Sequence, residues 1–268
     1  MINVIKANGE KEEFSEEKLR NSIKRAGIPS GIEQEVIAHV KSKLYEDIPT
    51  SEVYKHITEF LGKQPHLKSK YSLKQAIMDL GPTGYPFEDY ISEILKAKGY
   101  LTQVRSILTG NCVNHEIDVI AEKEKQEKLM IEAKFHNAPG IRTDIHVSLY
   151  TKARFDDLKE KYNFDKACLF TNTKVTSDAL SYALCVNMSV VSWSYPQNES
   201  LRDLIEKLKL YPITIMDSLS LSQKQTLLDN HVVLVKEICK NKASLNFLNL
   251  NMDKKDQIHK EAELICKT

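Results

Sequence analysis

Asp118, Glu132 and Lys134 are the residues of this chain whose types and spacing best suit chemistry. Asp118-Val119-Ile120-Ala121 and Leu129-Met130-Ile131-Glu132-Ala133-Lys134 flank a charged segment, 122–128, and that pattern reads as a β-hairpin. Strand alternation sends Glu132 and Lys134 to one face and Ile131 and Ala133 to the other. In the simplest register Asp118 lies beside them. Two carboxylates suit a hard cation such as Mg²⁺, which fills its remaining positions with water and phosphate oxygens. A neighbouring ammonium stabilises developing negative charge or orients an attacking water. A Glu and a Lys two apart on a strand also describe a solvated ion pair of little consequence. The weight of the reading therefore falls on the elements that bring further residues to the same place.

One such element lies upstream. Phe87-Glu88-Asp89-Tyr90-Ile91 opens a helix running to Lys98, closed by Gly99-Tyr100, with a strand at 101–107 after it. A helix starting on a Phe-Glu pair, followed by Asp…Glu-x-Lys, resembles the PD-(D/E)xK nuclease superfamily, in particular its Mrr-like restriction endonuclease branch. The resemblance implies that Glu88 points into a metal site as its third acidic member. Asp89 then faces solvent, and Glu93, five residues on, serves if Glu88 does not. The implied catalytic set is Glu88, Asp118, Glu132 and Lys134. Mg²⁺ or Mn²⁺ would be held by Asp118 and Glu132, with Glu88 assisting through water. The metal would generate the nucleophilic hydroxide and Lys134 would position it. The segment Asn114–Asp118 is similar to the family's approach to the metal aspartate, but carries His115 and Glu116 where small residues are common.

After Lys134 the pattern predicts a loop over Phe135–Arg142 containing Pro139-Gly140, then a helix from about Asp144 to Tyr162. Lys166–Thr171 reads as a buried parallel strand, Ser177–Asn187 as a helix and Ser189–Trp193 as another strand. This alternation implies an α/β fold, a mixed sheet with helices on both faces, in agreement with a restriction-endonuclease-like core. On the first helix after Glu-x-Lys the resemblance makes Tyr150 and Lys152 supporting candidates, with a solvated helix face as the simpler account. His136 shares the face of Lys134 and is open between contact with water or phosphate and an ordinary strand end. Arg105, Arg142, Lys152, Arg154 and Lys174 are candidates for holding DNA phosphates.

The N-terminus carries a second pattern. Val4-Ile5-Lys6-Ala7-Asn8-Gly9 reads as a strand ending in an Asn-Gly turn. Ser15 is the expected N-cap of a helix whose apolar stripe is Leu19, Ile23 and Ala26, ended by Gly27. Ile48-Pro49-Thr50-Ser51 precedes a further helix, and Tyr71–Ile77 follows near the end of the region. Together these resemble the ATP-cone, a small nucleotide-binding regulatory domain. The resemblance implies ATP or dATP as an allosteric ligand, bound by Lys6, Lys18, Ser22, Thr50 and Lys74. Lys6 and Lys18 would neutralise the triphosphate, while Thr50 at a helix start offers a hydroxyl and backbone N–H groups. The first turn departs from the family's usual Lys-Arg-Asp-Gly, so one phosphate-binding cation is missing.

A chain of 268 residues exceeds the usual single core. Leu80-Gly81-Pro82-Thr83-Gly84-Tyr85-Pro86 breaks the helical pattern. The expected division is a mostly helical cone over 1–83, a nuclease-like domain over 84–197 and a short helical C-terminal region over 198–268. In the last, Ser220–Leu228 and Val232–Lys240 form a helix pair around Asn230-His231. It resembles a helix-hairpin-helix element without its usual glycine, the simpler account being a cap on the sheet or a partner.

Net charge is +1, and segment 86–200 has 14 basic against 16 acidic residues, a net of −2. Charge therefore neither supports nor excludes DNA. No apolar run suits a membrane span and no signal-peptide pattern opens the chain. The five cysteines, none in a Cys-x-x-Cys pair, argue for reduced thiols in a cytoplasm and against structural zinc. The absence of a P-loop argues against ATP hydrolysis. The expectation is thus a nucleotide-regulated, Mg-dependent DNA endonuclease, cytoplasmic, with DNA and nucleotide as partners, no membrane, and a homo-oligomeric state taken as a dimer. The alternatives are a non-catalytic nucleotide-responsive DNA-binding regulator and a nucleotide-dependent protein-interaction module.

Overall fold

The computed structural model describes residues 2–6, 9–124, 127–138 and 140–267. Ala7-Asn8 of the expected turn and Pro139 of the expected loop lie outside them. Strand β1 (Asn3–Ile5) pairs antiparallel with β2 (Lys11–Glu13) and parallel with β3 (Ile48–Pro49). Gly9 at φ +83° supplies the left-handed backbone that the reversal requires. Ser15 caps α1 (Glu16–Arg25), its Oγ accepting Lys18 N–H at 3.2 Å. Leu19 and Ile23 of α1 bury against Val36, Ile37 and Val40 of α2 (Ser30–Lys41) and Ile57 and Leu61 of α3 (Thr50–Leu61). Glu33 is buried beneath this face and is neutralised by Arg20, 2.5 Å away. Residues Met1–Gln75 with Glu263–Thr268 form one compact unit, and Ala76–Ala262 the other; α4 (Pro65–Met78) runs along the chain from the first into the second.

The second unit is α/β. After the Gly-Pro break, Pro86 in the first turn starts α5 (Tyr85–Ala97), and Gly99 at φ +90° ends it. Next come β4 (Leu101–Thr109), β5 (Asn114–Lys123) and β6 (Glu127–Lys134), then the short β7 (Arg142–Thr143) and α6 (Ile145–Tyr162). Strand β8 (Lys166–Thr171), the short β9 (Lys174–Val175), α7 (Ser177–Cys185) and β10 (Ser189–Val191) follow. The main sheet has the order β10-β8-β6-β5-β4. Its β4-β5-β6 half is antiparallel, because short turns join those strands. Its β6-β8-β10 half is parallel, because helices cross between them.

Helices cover both faces of the sheet. Met130, Ala167 and Leu169 pack against Leu158 of α6 and Ala183 of α7. On the other face lies α5, whose Phe87 ring is 5.5 Å from that of Phe135. Asp144, the approximate start of α6 in the sequence reading, is its N-cap, and Asn163 ends it in the left-handed region at φ +53°. Helix α7 stops two residues short of its expected end and β10 closes at Val191, where the isolated Ser192–Tyr195 bridge replaces the ladder.

The C-terminal region consists of α8 (Leu201–Leu208), a 3-10 turn at Ile213–Ile215, α9 (Leu221–Asp229), α10 (Val235–Lys240), a 3-10 stretch and α11 (Met252–Lys267). Tyr90 of α5, fully buried, donates its hydroxyl to the Leu210 carbonyl at 2.6 Å. Between α9 and α10, His231 sits at φ +60°, a left-handed position that favours glycine. The cysteine reading needs correction. Cys112, Cys168 and Cys185 are free thiols, but Cys239 and Cys266 are disulfide-bonded, so cysteine usage does not argue for a reducing compartment. Among the described residues no helix is long and apolar enough to cross a membrane.

Candidate active site

The ladder between β5 and β6 runs from Lys123 opposite Glu127 to Val119 opposite Ile131 and stops there. One step on in the same register, Asp118 faces Glu132. The strands separate at this point, and the Asp118 carboxylate takes over a ladder contact, accepting the Ala133 N–H at 2.7 Å. Burial raises the pKa of Asp118, against the pull of that hydrogen bond and of the Arg154 and Lys134 charges. Burial raises Glu132 too, followed by repulsion from Asp118. Lys134 acts on both carboxylates. The three residues read from the strand pattern therefore do converge, at the open end of the hairpin.

Glu88 comes to the same centre from the first turn of α5. It is buried, and its pKa is pushed up to about 7 by burial and by the charge of Asp118. Arg105 opposes that shift, with Nη1 donating to Glu88 Oε2 at 3.2 Å and Nη2 to Asp89 Oδ1 at 2.6 Å. Arg105 occupies the left-handed region at φ +51° in the middle of β4, facing Asp118 across the strands. Gln103 and Ile107, two residues to either side, are exposed, whereas Arg105 reaches α5.

Arg154 of α6 is the candidate site residue that sequence reasoning misplaced. It is buried and donates from Nη1 to Glu132 Oε2 at 2.8 Å and from Nη2 to the Tyr150 hydroxyl at 2.6 Å, while its Nε is buried without a partner. A signal for it exists. Thr151, Arg154 and Leu158 share the buried stripe of α6, and a cation on such a stripe needs an internal anion.

Asp89 does not face solvent but holds Arg105 and, through its second oxygen, His231 at 2.9 Å. Glu93 pairs with Lys96 at 2.7 Å on the surface. His115 does not approach Asp118. It binds Asp157 at 2.8 Å, and that carboxylate also accepts the Cys112 N–H, so its pKa falls to about 2. His136 is tied to Thr143 through Nε2 and to Asn172 through its N–H, and burial lowers its pKa. Of the five phosphate candidates, Arg105 and Arg154 face inward and Lys152 pairs with Asp156. Arg142 and Lys174 remain exposed, opposite each other in the β7–β9 ladder.

The donor set suits a hard divalent ion. Two carboxylates raised by burial, Glu132 also by the charge of Asp118, are stabilised by a cation placed between them. Among the described residues no three His, Cys, Asp or Glu side chains stand close enough to enclose an ion unaided. Water and phosphate oxygens fill the rest of the shell of a Mg²⁺ ion held in this way.

The N-terminal unit has a cavity of about 170 Å³ lined by Lys18, Ser22 and Thr50 with Val4, Phe14 and Tyr54 among others. Lys6 reaches its rim through Glu12, which bridges Lys6 at 2.8 Å and Lys18 at 2.9 Å. Tyr54 and Tyr71 stack along one wall with ring centroids 5.5 Å apart, and the Tyr71 hydroxyl lies 3.2 Å from Ser22 Oγ. Lys74, on α4, is not part of this lining.

These features define a class. The ATP cone domain family matches residues 2–73 and the restriction endonuclease family of Mrr type residues 82–196, so the chain is an ATP-cone fused to a restriction-endonuclease-like domain. A third match, described as AF1548-like, C-terminal, covers 211–266. The chain is 44% identical over 126 residues to an uncharacterized protein of Archaeoglobus fulgidus, a span of 47% of this chain and 71% of that one. The crystal structure of AF1548, a protein of unknown function, resembles it with a TM-score of 0.61 and 33% identity, across 69% of this chain and 99% of that one. The chain belongs to this AF1548-like family.

Proposed function

We propose that the protein is a metal-dependent DNA endonuclease, hydrolysing phosphodiester bonds under the control of ATP or dATP held in its cone. On this reading residues 1–83 sense nucleotide, 84–197 cut, and 198–268 extend the nuclease domain. The observation that carries it is the opposition of Asp118 and Glu132 where their strands separate, with Lys134 acting on both. Asp118 and Glu132 would hold Mg²⁺ or Mn²⁺, with Glu88 assisting through water. When bound, the ion supplies Lewis acidity toward the scissile phosphate and lowers the pKa of water. The Lys134 ammonium orients the attacking water and offsets charge building on the phosphate. Arg154 holds the Glu132 carboxylate in place, and Arg105 does the same for Glu88. Arg142 and Lys174 contact backbone phosphates beside the centre. The protein works as a homodimer in the cytoplasm. Incubating supercoiled plasmid with the wild type, with Mg²⁺ or Mn²⁺ and with or without ATP, tests this; loss of cutting in EDTA and a change of rate with ATP are expected.

In the cone, Glu12 occupies the two lysines that a triphosphate needs. The phosphates displace it, forming charge-assisted contacts with Lys6 and Lys18. Lys18→Ala is expected to weaken ATP binding about tenfold, the worth of one charged hydrogen bond. Glu12→Gln, which frees both lysines, is expected to tighten it. Calorimetric titration of ATP checks both, and weaker binding by Glu12→Gln would count against this site.

A further inference from the structure

We propose that His231, on the turn between α9 and α10, is a positioning residue for the cleavage centre, acting on Glu88 through Asp89 and Arg105. The inference deepens the nuclease reading and rests on it. The contacts form an unbroken chain. His231 Nδ1 donates to Asp89 Oδ2 at 2.9 Å, Asp89 Oδ1 accepts Arg105 Nη2 at 2.6 Å, and Arg105 Nη1 donates to Glu88 Oε2 at 3.2 Å. Each oxygen of Asp89 is used once, so its carboxylate is held between the two side chains. Arg105 Nη1 also reaches the Tyr85 carbonyl at 3.4 Å, so the first turn of α5 is held at both its backbone and its side chains.

Two backbone observations point the same way. Arg105 and His231 both lie in the left-handed region, at φ +51° and +60°, where a residue with a Cβ persists only if its surroundings over-determine it. At both places glycine would make the turn more easily. What glycine lacks is the side chain, and both side chains end on Asp89. The partner is remote in sequence, 142 residues from His231, so the contact is not a by-product of the local hairpin. Tyr90, one residue beyond Asp89, is itself anchored to the Leu210 carbonyl. The C-terminal region thus fixes the helix that delivers Glu88 at two adjacent residues. It completes the nuclease centre rather than merely covering the sheet.

The test uses the full chain with His231→Gly, Asp89→Asn and the double variant, and Glu132→Ala as control. Three quantities are read: melting temperature, Mn²⁺ affinity by calorimetry, and kcat and KM for plasmid nicking. His231→Gly is expected to keep the wild-type melting temperature, because glycine adopts the turn freely. Its Mn²⁺ affinity and kcat are expected to fall about tenfold with KM unchanged, as when groups behind a metal ligand are removed. The double variant should be no worse than Asp89→Asn alone, since both changes break one chain. Wild-type Mn²⁺ affinity and kcat in His231→Gly would overturn the positioning role and leave the nuclease reading standing. A wild type that binds no Mn²⁺, or a Glu132→Ala variant that binds it equally well, would overturn that reading and this inference with it.

Discussion

Arg154→Met is expected to lose about 3 kcal/mol of folding stability at pH 8 in metal-free buffer, and clearly less at pH 5. The guanidinium is the internal counter-ion of Glu132, 2.8 Å away on a buried face, and Asp118 feels it as well. Methionine fills a similar volume but leaves two half-buried carboxylates facing each other. They respond by holding protons, so their folded pKa values rise further above those of the unfolded chain. A carboxyl raised in this way contributes most below its unfolded pKa of about 4, and the contribution is lost as pH rises through the folded value. Glu88, raised to about 7, follows the same sign. Added Mg²⁺ should recover part of the loss at pH 8 by supplying the missing positive charge. Urea unfolding at the two pH values, with EDTA and with Mg²⁺, makes the comparison. A loss independent of both pH and Mg²⁺ would show that Arg154 matters only for packing.

Gly110→Ala is expected to cost about 2–3 kcal/mol, a large effect for one methyl group near a surface turn. A Cβ at Gly110 would collide with the Asp157 carboxylate and lie 2.8 Å from the Val113 carbonyl oxygen. Asp157 has little room to yield, because it accepts the Cys112 N–H at 2.9 Å and contacts His115 at 2.8 Å. This knot closes the β4–β5 hairpin, and β5 carries Asp118. Thermal unfolding should show the loss. Asp157→Ala should partly relieve it in the double variant, because the two residues compete for the same space. Fully additive losses would contradict the steric account.

The parts of the site visible in the sequence are those that obey a local period. Asp118, Glu132 and Lys134 follow from alternation along two strands and a simple register, whereas Glu88 was given by the family resemblance alone. Ser15 was legible as a cap, because a cap needs only its own next residues. The residues that escaped depend on distant partners. Arg154 looked like a surface cation because Glu132 lies 22 residues away on another element. Asp89 looked solvent-facing because nothing local announces His231. Arg105 escaped for a different reason, a left-handed backbone inside a strand that nothing in its local pattern announces. The mixed character of the sheet followed from the strand–helix alternation, whereas its strand order and the left-handed backbone of His231 did not.

Conversion of supercoiled plasmid to nicked or linear forms by the wild type, Glu132→Ala and Lys134→Ala at equal concentration tests the central claim most directly. Each reaction is run with Mn²⁺ and with EDTA. Cutting by the wild type in Mn²⁺ alone, with a loss of at least about a hundredfold in each variant, is the predicted result. Cutting that survives in both variants, or none by the wild type on plain, methylated or branched DNA, would contradict it.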